Sequence, residues 1–366
     1  MNKIYPKQFA ELFLSETTLI DVRAPIEYSK GAFPSAINLP ILDDSERQKI
    51  GHCYKKNGQD AAVALGHELV SGDIKQQRIQ AWETLIQQYP DAILYCFRGG
   101  MRSMLSQQWL MEAGCKISMV EGGFKALRKF LIEIIDDYSQ AQNLMVIGGR
   151  TGTGKTRVIH QLKSSLDLEG AANHRGSAFG KQPTPQPSQI GFENNIAIAM
   201  LKLKQQNINR IMVEDESKLI GRNALPQNLK KAMSQAELVI VEQTLDERIE
   251  VVVDEYVVDL IKHYELTNSQ LSFYEVFNLY QKTMLNSLHS IKKRIGGDRY
   301  KELFQLMKNA MDVHLKNNDI SQHQNWIRPL LSEYYDKMYD YQLNLNERRV
   351  VFRGNREQVF SFLEKK

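Results

Sequence analysis

Apolar residues in the first third of the chain form short runs separated by stretches with helical spacing. Residues 18–22, 92–95 and 117–120 have the length and composition of buried strands, and residues 124–138 follow the period of a long closing helix. Strands that alternate with helices predict a sheet covered by helices. We therefore expect an α/β domain over residues 1–137.

A second alternation of strand and helix begins at residues 143–147, where a short apolar run leads into a glycine-rich turn. Further strands are predicted at residues 209–213 and 238–241. This pattern predicts a second α/β domain over residues 138–246. The polar, proline-containing stretch 170–188 inside it has the composition of a long loop or lid.

The remaining residues, 247–366, have helical apolar spacing almost throughout, which predicts a helical subdomain. From Ile291 onward there are 15 Lys or Arg against 10 Asp or Glu, so this segment carries the whole basic excess of a chain whose net charge is +4. Such an excess favours a polyanionic partner, although a solvated helical surface has the same composition. The basic residues near aromatic ones, which are the candidates for contacts with RNA phosphates, are Lys292, Lys293, Arg294, Arg348, Arg349 and Arg353.

Composition narrows the class of protein further. At 366 residues the chain is too long for one ordinary core, and its 42% apolar and 25% charged residues are typical of globular proteins. No apolar run reaches the length of a transmembrane helix, and no signal-peptide core follows the first residues. Three cysteines in so long a chain do not indicate a disulfide framework. We therefore expect a cytoplasmic protein with reduced thiols and no membrane association.

One cysteine lies in a glycine- and arginine-rich turn. Residues 96–103, Cys-Phe-Arg-Gly-Gly-Met-Arg-Ser, follow a predicted strand and precede a helical run, so the Cys96 thiol would face converging backbone amides at the positive end of a helix. That setting stabilises a thiolate and holds an anion. The residues expected to form this anion loop around Cys96 are Arg98, Gly99, Gly100 and Arg102. Cys53 and Cys115 lack the setting, and we expect them to be inert.

Three separated segments of the first domain resemble the rhodanese family. They are the opening signature at residues 20–38, the Cys96 loop, and Val-Glu-Gly-Gly-Phe at residues 120–124. The loop departs from many sulfurtransferases because its arginine stands six residues after the cysteine and is followed by serine. Cys-x5-Arg-Ser is also the phosphate-binding spacing of cysteine phosphatases, which indicates a pocket of phosphoryl size. Tyr95, in place of the histidine that often precedes the phosphatase cysteine, argues against phosphatase chemistry.

Residues 149–156, Gly-Arg-Thr-Gly-Thr-Gly-Lys-Thr, match the phosphate-binding pattern G-x-x-x-x-G-K-[ST]. They follow a predicted strand and precede a helical stretch, which is the context that this motif needs. The glycines expose backbone amides to phosphate oxygens, the lysine adds a charge, and the threonine is the residue that would hold Mg²⁺. The predicted phosphate-binding residues are Gly149, Gly152, Gly154, Lys155 and Thr156.

An acidic partner of this P-loop should end a later strand. Glu214 and Asp215 follow the predicted strand 209–213 and are the candidates on the magnesium side, although an exposed acidic turn has the same sequence. Residues 175–180, Arg-Gly-Ser-Ala-Phe-Gly, are expected to form a mobile loop over the site.

The two loops and four further segments resemble tRNA 2-selenouridine synthases over nearly the whole chain. The further segments are residues 175–180, 214–217, 220–226 and the tyrosine-rich stretch 334–341. The resemblance implies an enzyme that converts wobble 2-thiouridine of tRNA to 2-selenouridine. It also implies two steps: geranyl diphosphate alkylates the sulfur, and selenium from selenophosphate then replaces the geranylthio group.

That resemblance assigns roles to the two loops. Cys96 would carry selenium as an S-selanyl adduct, Arg98 and Arg102 would seat the phosphate of selenophosphate, and the P-loop would bind the diphosphate of geranyl diphosphate. The implied partners are tRNA, the two small substrates and the synthase that supplies selenophosphate. No tightly bound cofactor is expected, apart from Mg²⁺ at Thr156.

Two other interpretations of the same residues stay open. A rhodanese sulfurtransferase coupled to an ATP-dependent activating domain has the same two loops. A nucleotide-switched binding module that uses the rhodanese fold as a scaffold fits less well, since it would need neither Cys96 nor the arginines.

Overall fold

The computed structural model describes residues 2–141, 144–208, 210–345 and 349–365. The chain forms two compact units. Residues 1–137 and 188–205 form the first unit, and residues 138–187 and 206–366 form the second. Within the described ranges, no helix is both long enough and apolar enough to cross a membrane.

The first unit is built on a parallel five-stranded sheet with the order β1-β5-β4-β2-β3. Its strands are β1 (Lys3–Ile4), β2 (Leu19–Asp21), β3 (Ala36–Asn38), β4 (Ile93–Tyr95) and β5 (Ser118–Val120). β4 pairs with β2 and with β5, so the residues after it leave from the middle of the carboxyl edge. The strands predicted at 18–22, 92–95 and 117–120 are confirmed.

Helices cover this sheet and bury its apolar side chains. They are Phe9–Leu14, Pro25–Tyr28, Asp44–Leu69, Gly72–Gln88, Met101–Glu112, Gly123–Ala141 and Gln189–Gln205, with a 3-10 turn at Pro6–Gln8. The helix Asp44–Leu69 is broken at Gly58, whose φ is +87°, so it consists of two arms. The predicted closing helix at residues 124–138 is confirmed.

The last of these helices, Gln189–Gln205, comes from a later part of the sequence. The buried Asn194 side chain donates to the Ala32 carbonyl at 2.9 Å and accepts from Arg128 Nη1 at 2.9 Å, and Arg128 also pairs with Glu193. The domain boundaries predicted from the sequence place this helix in the second domain. Its apolar period is the same whichever sheet it covers, so the sequence does not indicate that it belongs to the first unit. Residues 188–205 are instead an excursion of the chain back to the first unit.

The second unit contains another parallel five-stranded sheet, with the order β12-β11-β6-β8-β7. Its strands are β6 (Leu144–Gly148), β7 (Ser165–Leu166), β8 (Ile211–Glu214), β11 (Glu237–Val241) and β12 (Val350–Gly354), and a separate hairpin consists of β9 (Leu219–Ile220) and β10 (Asn223–Ala224). β6 lies between β11 and β8. The strands predicted at 143–147, 209–213 and 238–241 are confirmed, although Asn143 and Asn209 lie outside the described residues.

Helices make up most of the rest of the second unit. They are Lys155–Gln161, Leu168–Ala172, Gln227–Gln235, Leu245–Val253, Asp259–Thr267, Phe273–Ser290, Lys292–Ile295, Gly297–Asn317, Gln324–Pro329, Asp336–Leu345 and Arg356–Leu363. A 3-10 turn lies at Ser321–His323, and two π-helical segments lie at Asp254–Val258 and Leu330–Tyr335.

Residues 247–366, predicted to form a subdomain that is helical almost throughout, also contain the strand β12. β12 pairs in parallel with β11 and so completes the sheet of the second unit. Its Val-Val-Phe sequence has strand propensity, and Phe352 stacks on Phe362 with 4.4 Å between ring centroids. The end of the chain therefore belongs to the P-loop sheet and is not a separate helical piece.

Candidate active site

The Cys96 loop leaves the carboxyl end of β4 and packs against the turn that follows β5. Cys96 is 3% exposed, and its carbonyl accepts a hydrogen bond from the Phe124 amide at 2.8 Å. Gly99 has a φ of +64°, and a side chain there would come within 2.7 Å of the Gly122 nitrogen. Only glycine fits at this position, because backbone runs directly against backbone.

The backbone amides of this loop are available to an anion. Among the described residues, none accepts a hydrogen bond from the N–H groups of residues 97–103. Gly100 caps the helix Met101–Glu112, whose dipole adds positive potential at the same point. Glu27 holds Arg102 through two hydrogen bonds, at 2.6 and 3.2 Å, while Arg98 is exposed. The loop is thus built to bind an anion beside Cys96.

A buried ionic network fixes the strands below the loop. Arg23 donates to Asp21 from Nη2 to Oδ2 at 2.6 Å and from Nε to Oδ1 at 2.9 Å, and the Tyr95 hydroxyl donates to the same Oδ2 at 2.7 Å. The Arg23 guanidinium lies 3.9 Å from the centroid of the Phe124 ring. Burial, with the nearby Asp21 carboxylate, raises the pKa of Tyr95 well above its usual value. Tyr95 therefore belongs to this supporting network.

The other two cysteines lie in different surroundings. Cys53 is on the helix Asp44–Leu69, and the Cys115 sulfur is 3.8 Å from Glu83 Oε1. Burial and the Glu83 carboxylate raise the pKa of the Cys115 thiol. A thiol with a raised pKa stays protonated, so Cys115 is poorly suited to act as a nucleophile.

The second anion-binding loop joins the central strand β6 to the helix Lys155–Gln161. Its glycines, Gly149, Gly152 and Gly154, all have positive φ, and a side chain on Gly152 would lie 2.7 Å from the Arg248 carbonyl oxygen. Lys155 Nζ donates to the Gly149 carbonyl at 2.8 Å, so the ammonium group lies across the loop. The structure thus brings the predicted phosphate-binding glycines and lysine together.

A carboxylate that the sequence patterns do not single out contacts this loop. The Thr156 hydroxyl donates to Glu169 Oε2 at 3.1 Å, and the Gly176 amide donates to Glu169 Oε1 at 2.5 Å. Burial is the main cause that raises the pKa of Glu169. Thr156 and Glu169 form a pair of oxygen ligands suited to Mg²⁺. Among the described residues, no cluster of three or more His, Cys, Asp or Glu side chains could hold a metal ion.

The acidic residues at the end of β8 lie in two different environments. They are Glu214, the last residue of the strand, and Asp215 and Glu216, which follow it. Glu214 is 1% exposed and accepts from the Leu168 amide at 2.8 Å, so it supports the segment that carries Glu169. Burial, together with the Glu169 carboxylate, raises the pKa of Glu214 well above its usual value. Asp215 and Glu216 line the pocket beside the P-loop. Of the two predicted acidic partners, Asp215 therefore faces the pocket and Glu214 does not.

The segment expected to form a mobile loop, residues 175–180, lies at the same pocket. Arg175 Nη1 pairs with Glu255 Oε2 at 2.6 Å, and the Ser177 hydroxyl is 3.1 Å from that of Tyr256. These bonds, with the hydrogen bond from the Gly176 amide to Glu169, connect the segment to residues beside the P-loop. The mobility of the segment stays a prediction.

The pocket beside the P-loop has a volume of about 660 Å³ and two chemically different walls. One wall is the P-loop with its acidic neighbours. The other is lined by Ala178, Tyr256, Tyr334, Tyr335, Met338, Tyr339 and Leu343, together with the polar side chains of Arg294 and Gln342. Three of these tyrosines lie in the π-helical segments Asp254–Val258 and Leu330–Tyr335, and such segments occur frequently at functional sites.

The first group of predicted RNA-binding residues lies on the short helix Lys292–Ile295. Lys292 and Lys293 are exposed on this helix. Arg294 instead lines the P-loop pocket, and its Nη1 is 3.4 Å from the Tyr334 hydroxyl. Arg294 is therefore available to a phosphate in the pocket.

The second group lies at β12. Arg349 pairs with Glu237 at 3.2 Å, and Arg353 pairs with Glu242 at 3.1 Å. Both carboxylates belong to β11 or follow it directly, so part of the positive charge of this group is balanced. Arg348 lies outside the described residues.

Comparison with known proteins covers both units. A family model for the tRNA 2-selenouridine synthase AAA domain matches residues 142–366, and one for the rhodanese-like domain matches residues 5–129. A tRNA 2-selenouridine synthase from Shewanella frigidimarina is 49% identical over 366 residues, which are 100% of this chain and 99% of that protein. The synthase of Marinobacter nauticus is 48% identical over 96% of this chain and 95% of its own length. That of Photobacterium profundum is 47% identical over 98% of this chain and 97% of its own length. The similarity thus includes both anion-binding loops.

Proposed function

The chain belongs to the tRNA 2-selenouridine synthase family, whose members are enzymes that modify tRNA, and we propose how its two loops divide the reaction. The P-loop of the second unit would direct transfer of a geranyl group from geranyl diphosphate to the sulfur of wobble 2-thiouridine. The Cys96 loop of the first unit would then exchange the geranylthio group for selenium from selenophosphate. Both steps would take place in the cytoplasm, with tRNA as their common substrate and a selenophosphate synthase as the source of selenium.

The pocket beside the P-loop is the observation that carries this proposal. Its polar wall suits a diphosphate, and its wall of tyrosine, methionine and leucine side chains suits a branched apolar chain. In the first step the sulfur attacks the first geranyl carbon, the carbon–oxygen bond breaks, diphosphate leaves with the electron pair, and the N3 proton of the base passes to solvent. Lys155 and the loop amides would stabilise the charge on the departing diphosphate. Mg²⁺, held by Thr156 with Glu169 or Asp215 and by the phosphates, would neutralise part of the same charge.

In the second step the amides of residues 97–103 would hold the phosphate of selenophosphate, with Arg98 and Arg102 beside it. Alkylation turns the sulfur into a leaving group, so selenium can add at carbon 2 of the base and geranylthiolate can depart with the electron pair. Cys96 would take part as a nucleophile through an S-selanyl form. Selenium is at the selenide level in both selenophosphate and 2-selenouridine. Forming the selenium–sulfur bond on Cys96 therefore balances when the thiolate attacks selenium, the selenium–phosphorus bond breaks and phosphite leaves with the electron pair. Release of 2-selenouridine then requires a thiol that attacks the Cys96 sulfur and forms a disulfide with it.

Separate assays of the two steps test the proposal. Lys155→Ala should prevent geranylation of 2-thiouridine tRNA but still selenate tRNA that already carries the geranyl group. Cys96→Ser should do the reverse and accumulate S-geranyl-2-thiouridine, while Cys115→Ser should behave like the wild type. Mass spectrometry of the nucleosides measures both products.

Three outcomes would change the assignment. Normal geranylation by Lys155→Ala together with loss of ATP binding would favour the rhodanese sulfurtransferase coupled to an ATP-dependent activating domain. Normal selenation by Cys96→Ser would remove this residue from the mechanism. Full selenation in the absence of any thiol would contradict the S-selanyl form and assign Cys96 to the phosphoryl group, which the Cys-x5-Arg-Ser spacing also suits.

A further inference from the structure

The first unit contains a cavity to which neither step has yet assigned a role. Its volume is about 880 Å³, and its walls are the two arms of the helix Asp44–Leu69 and the helix Met101–Glu112. Met101, Leu105 and Trp109, spaced one turn apart on the second helix, line one side. That helix begins directly after the Cys96 loop, so one wall of the cavity starts where the anion loop ends.

The wall of this cavity is largely apolar, although part of it is open to solvent. Ile50, Tyr54 and Val63 line it from the two helical arms. Tyr54 is 57% exposed and Met101 is 41% exposed. Large apolar side chains that are exposed around a concave site mark a place where an apolar ligand binds.

Two glycines in the helical arms keep the cavity wide. A Cβ added to Gly51 would meet no atom within 4 Å, and one added to Gly66 would make an ordinary contact of 3.6 Å with Ile50. Neither residue has positive φ. The backbone therefore does not require glycine at these positions, and glycine within a helix is less stable than alanine. Both glycines line the cavity, so a larger side chain at either position would reduce the space between the arms.

A charged rim connects the cavity to the anion loop. Glu27 pairs with Arg102 at 2.6 Å and with Arg47 at 3.1 Å, and all three residues line the cavity. Arg102 is also the last arginine of the Cys96 loop. A ligand whose apolar part fills the cavity would therefore have its polar end beside this loop.

We propose that this cavity binds the geranyl chain of the S-geranyl-2-thiouridine intermediate while selenium replaces the sulfur. The inference rests on the two-step function proposed above. In that function the intermediate presents carbon 2 of its base to the Cys96 loop, and its ten-carbon chain is attached one sulfur atom away. When the carbon–sulfur bond breaks, the sulfur keeps the electron pair and takes a proton from water. The cavity thus receives an apolar leaving group and favours geranylated over unmodified 2-thiouridine.

Two substitutions that fill the cavity test this inference. Val63→Trp places a large side chain at a lining position, and Gly51→Leu does so where the backbone has room and helix propensity improves. Ala64→Trp, at an exposed position of the same arm, is the matched control. Both cavity variants should raise the KM for geranylated tRNA in the selenation step by about tenfold or more. Their geranylation of 2-thiouridine tRNA should be unchanged, and the control should match the wild type in both steps.

The length of the alkyl chain provides a second measurement, made on the wild type. Each methylene buried in an apolar site is worth about fourfold in affinity. A substrate with a five-carbon S-prenyl group should therefore have a KM that is higher by roughly three orders of magnitude. Free geranylthiol should inhibit selenation by the wild type and inhibit the two cavity variants less.

The outcomes separate this inference from the function on which it rests. If the wild type neither geranylates tRNA nor selenates tRNA that carries a geranyl group, the two-step function is wrong and this inference falls with it. If the wild type performs both steps while Val63→Trp and Gly51→Leu have the wild-type KM, only the cavity assignment is overturned. The inference would also be overturned if the two cavity variants raised the KM for an S-methyl substrate as much as the KM for the geranylated one. The cavity would then hold the nucleoside and not the alkyl chain.

Discussion

Replacing Glu216 with glutamine should make the protein more stable at neutral pH. Glu216 is 8% exposed and lines the P-loop pocket, and burial together with the Glu169 carboxylate raises its pKa to about 8. In the unfolded chain its pKa returns to 4.5. Between these two values the folded protein binds one proton more than the unfolded chain. The free energy of unfolding must therefore fall as the pH rises through this window.

The size of the effect follows from the two pKa values. Each pH unit inside the window lowers the free energy of unfolding by about 1.4 kcal/mol. At pH 7 the accumulated loss from Glu216 is about 3 kcal/mol, and it vanishes at low pH, where both states are protonated. Glutamine has the shape of the protonated acid and does not titrate. Glu216→Gln should therefore recover about 3 kcal/mol at pH 7 and almost nothing at pH 4.5.

Urea unfolding of the wild type and of Glu216→Gln at several pH values measures this difference. Trp326 is buried in the second unit, whereas Trp82 and Trp109 are buried in the first, so fluorescence measured in a background with Trp82→Phe and Trp109→Phe follows the unfolding of the second unit. The gap between the two stability curves should widen as the pH rises. Glu265→Gln, at an exposed position of the same unit, is the matched control and should show no widening. A constant gap for Glu216→Gln would refute the reasoning, because this carboxyl would then titrate alike in both states.

Three further predictions concern the second unit. Glu169→Gln removes the charged acceptor of the Thr156 hydroxyl, so kcat/KM for geranylation should fall by about 10- to 100-fold in steady-state assays, with selenation of geranylated tRNA retained. The pKa of His323 is lowered to about 3 by burial and by its neighbouring histidine, so the folded state binds fewer protons than the unfolded chain below the ordinary value of 6.5. In urea unfolding, the free energy of unfolding of the wild type minus that of His323→Gln should therefore fall as the pH drops from 6.5 towards 3, because the opposite contribution of Glu216 is present in both proteins. Neutralising Arg348, Arg349 and Arg353 together should lower the slope of the logarithm of tRNA affinity against the logarithm of salt concentration, by roughly 0.7 to 0.9 for each arginine that binds a phosphate. An unchanged slope in filter binding would mean that tRNA binds at another surface.

Elements whose residues determine their own geometry could be predicted from the sequence. The P-loop needs glycine at positions of positive φ, and the Cys96 loop needs Gly99 where its backbone meets the turn after β5. The residues that such geometries require are close together in the sequence, so they form recognisable motifs. Both loops lie where those motifs predict them. The buried strands could be predicted for a similar reason, because a parallel strand covered on both faces is a continuous apolar run.

Features that depend on distant residues could not be predicted. The helix Gln189–Gln205 has the same apolar period whether it covers one sheet or the other, and only its contacts with Arg128 and Ala32 assign it to the first unit. β12 becomes a strand because β11 is available as a partner. Glu169 follows a strand of only two residues, and no local sequence motif indicates that its side chain contacts Thr156.

Some of the places where the chain departs from the most stable choice lie at the two sites proposed to bind substrate. Glu169 and Glu216 have raised pKa values beside the P-loop, which is a cost to the folded state at neutral pH. Gly51 and Gly66 weaken the helical arms around the cavity although the backbone does not require them. Lys155 already relieves part of the first cost, a bound cation would relieve more of it, and an apolar chain between the arms would offset the second. Because local stability and function conflict most where a ligand supplies the missing interaction, these unfavourable residues support a phosphate site in one unit and an alkyl site in the other.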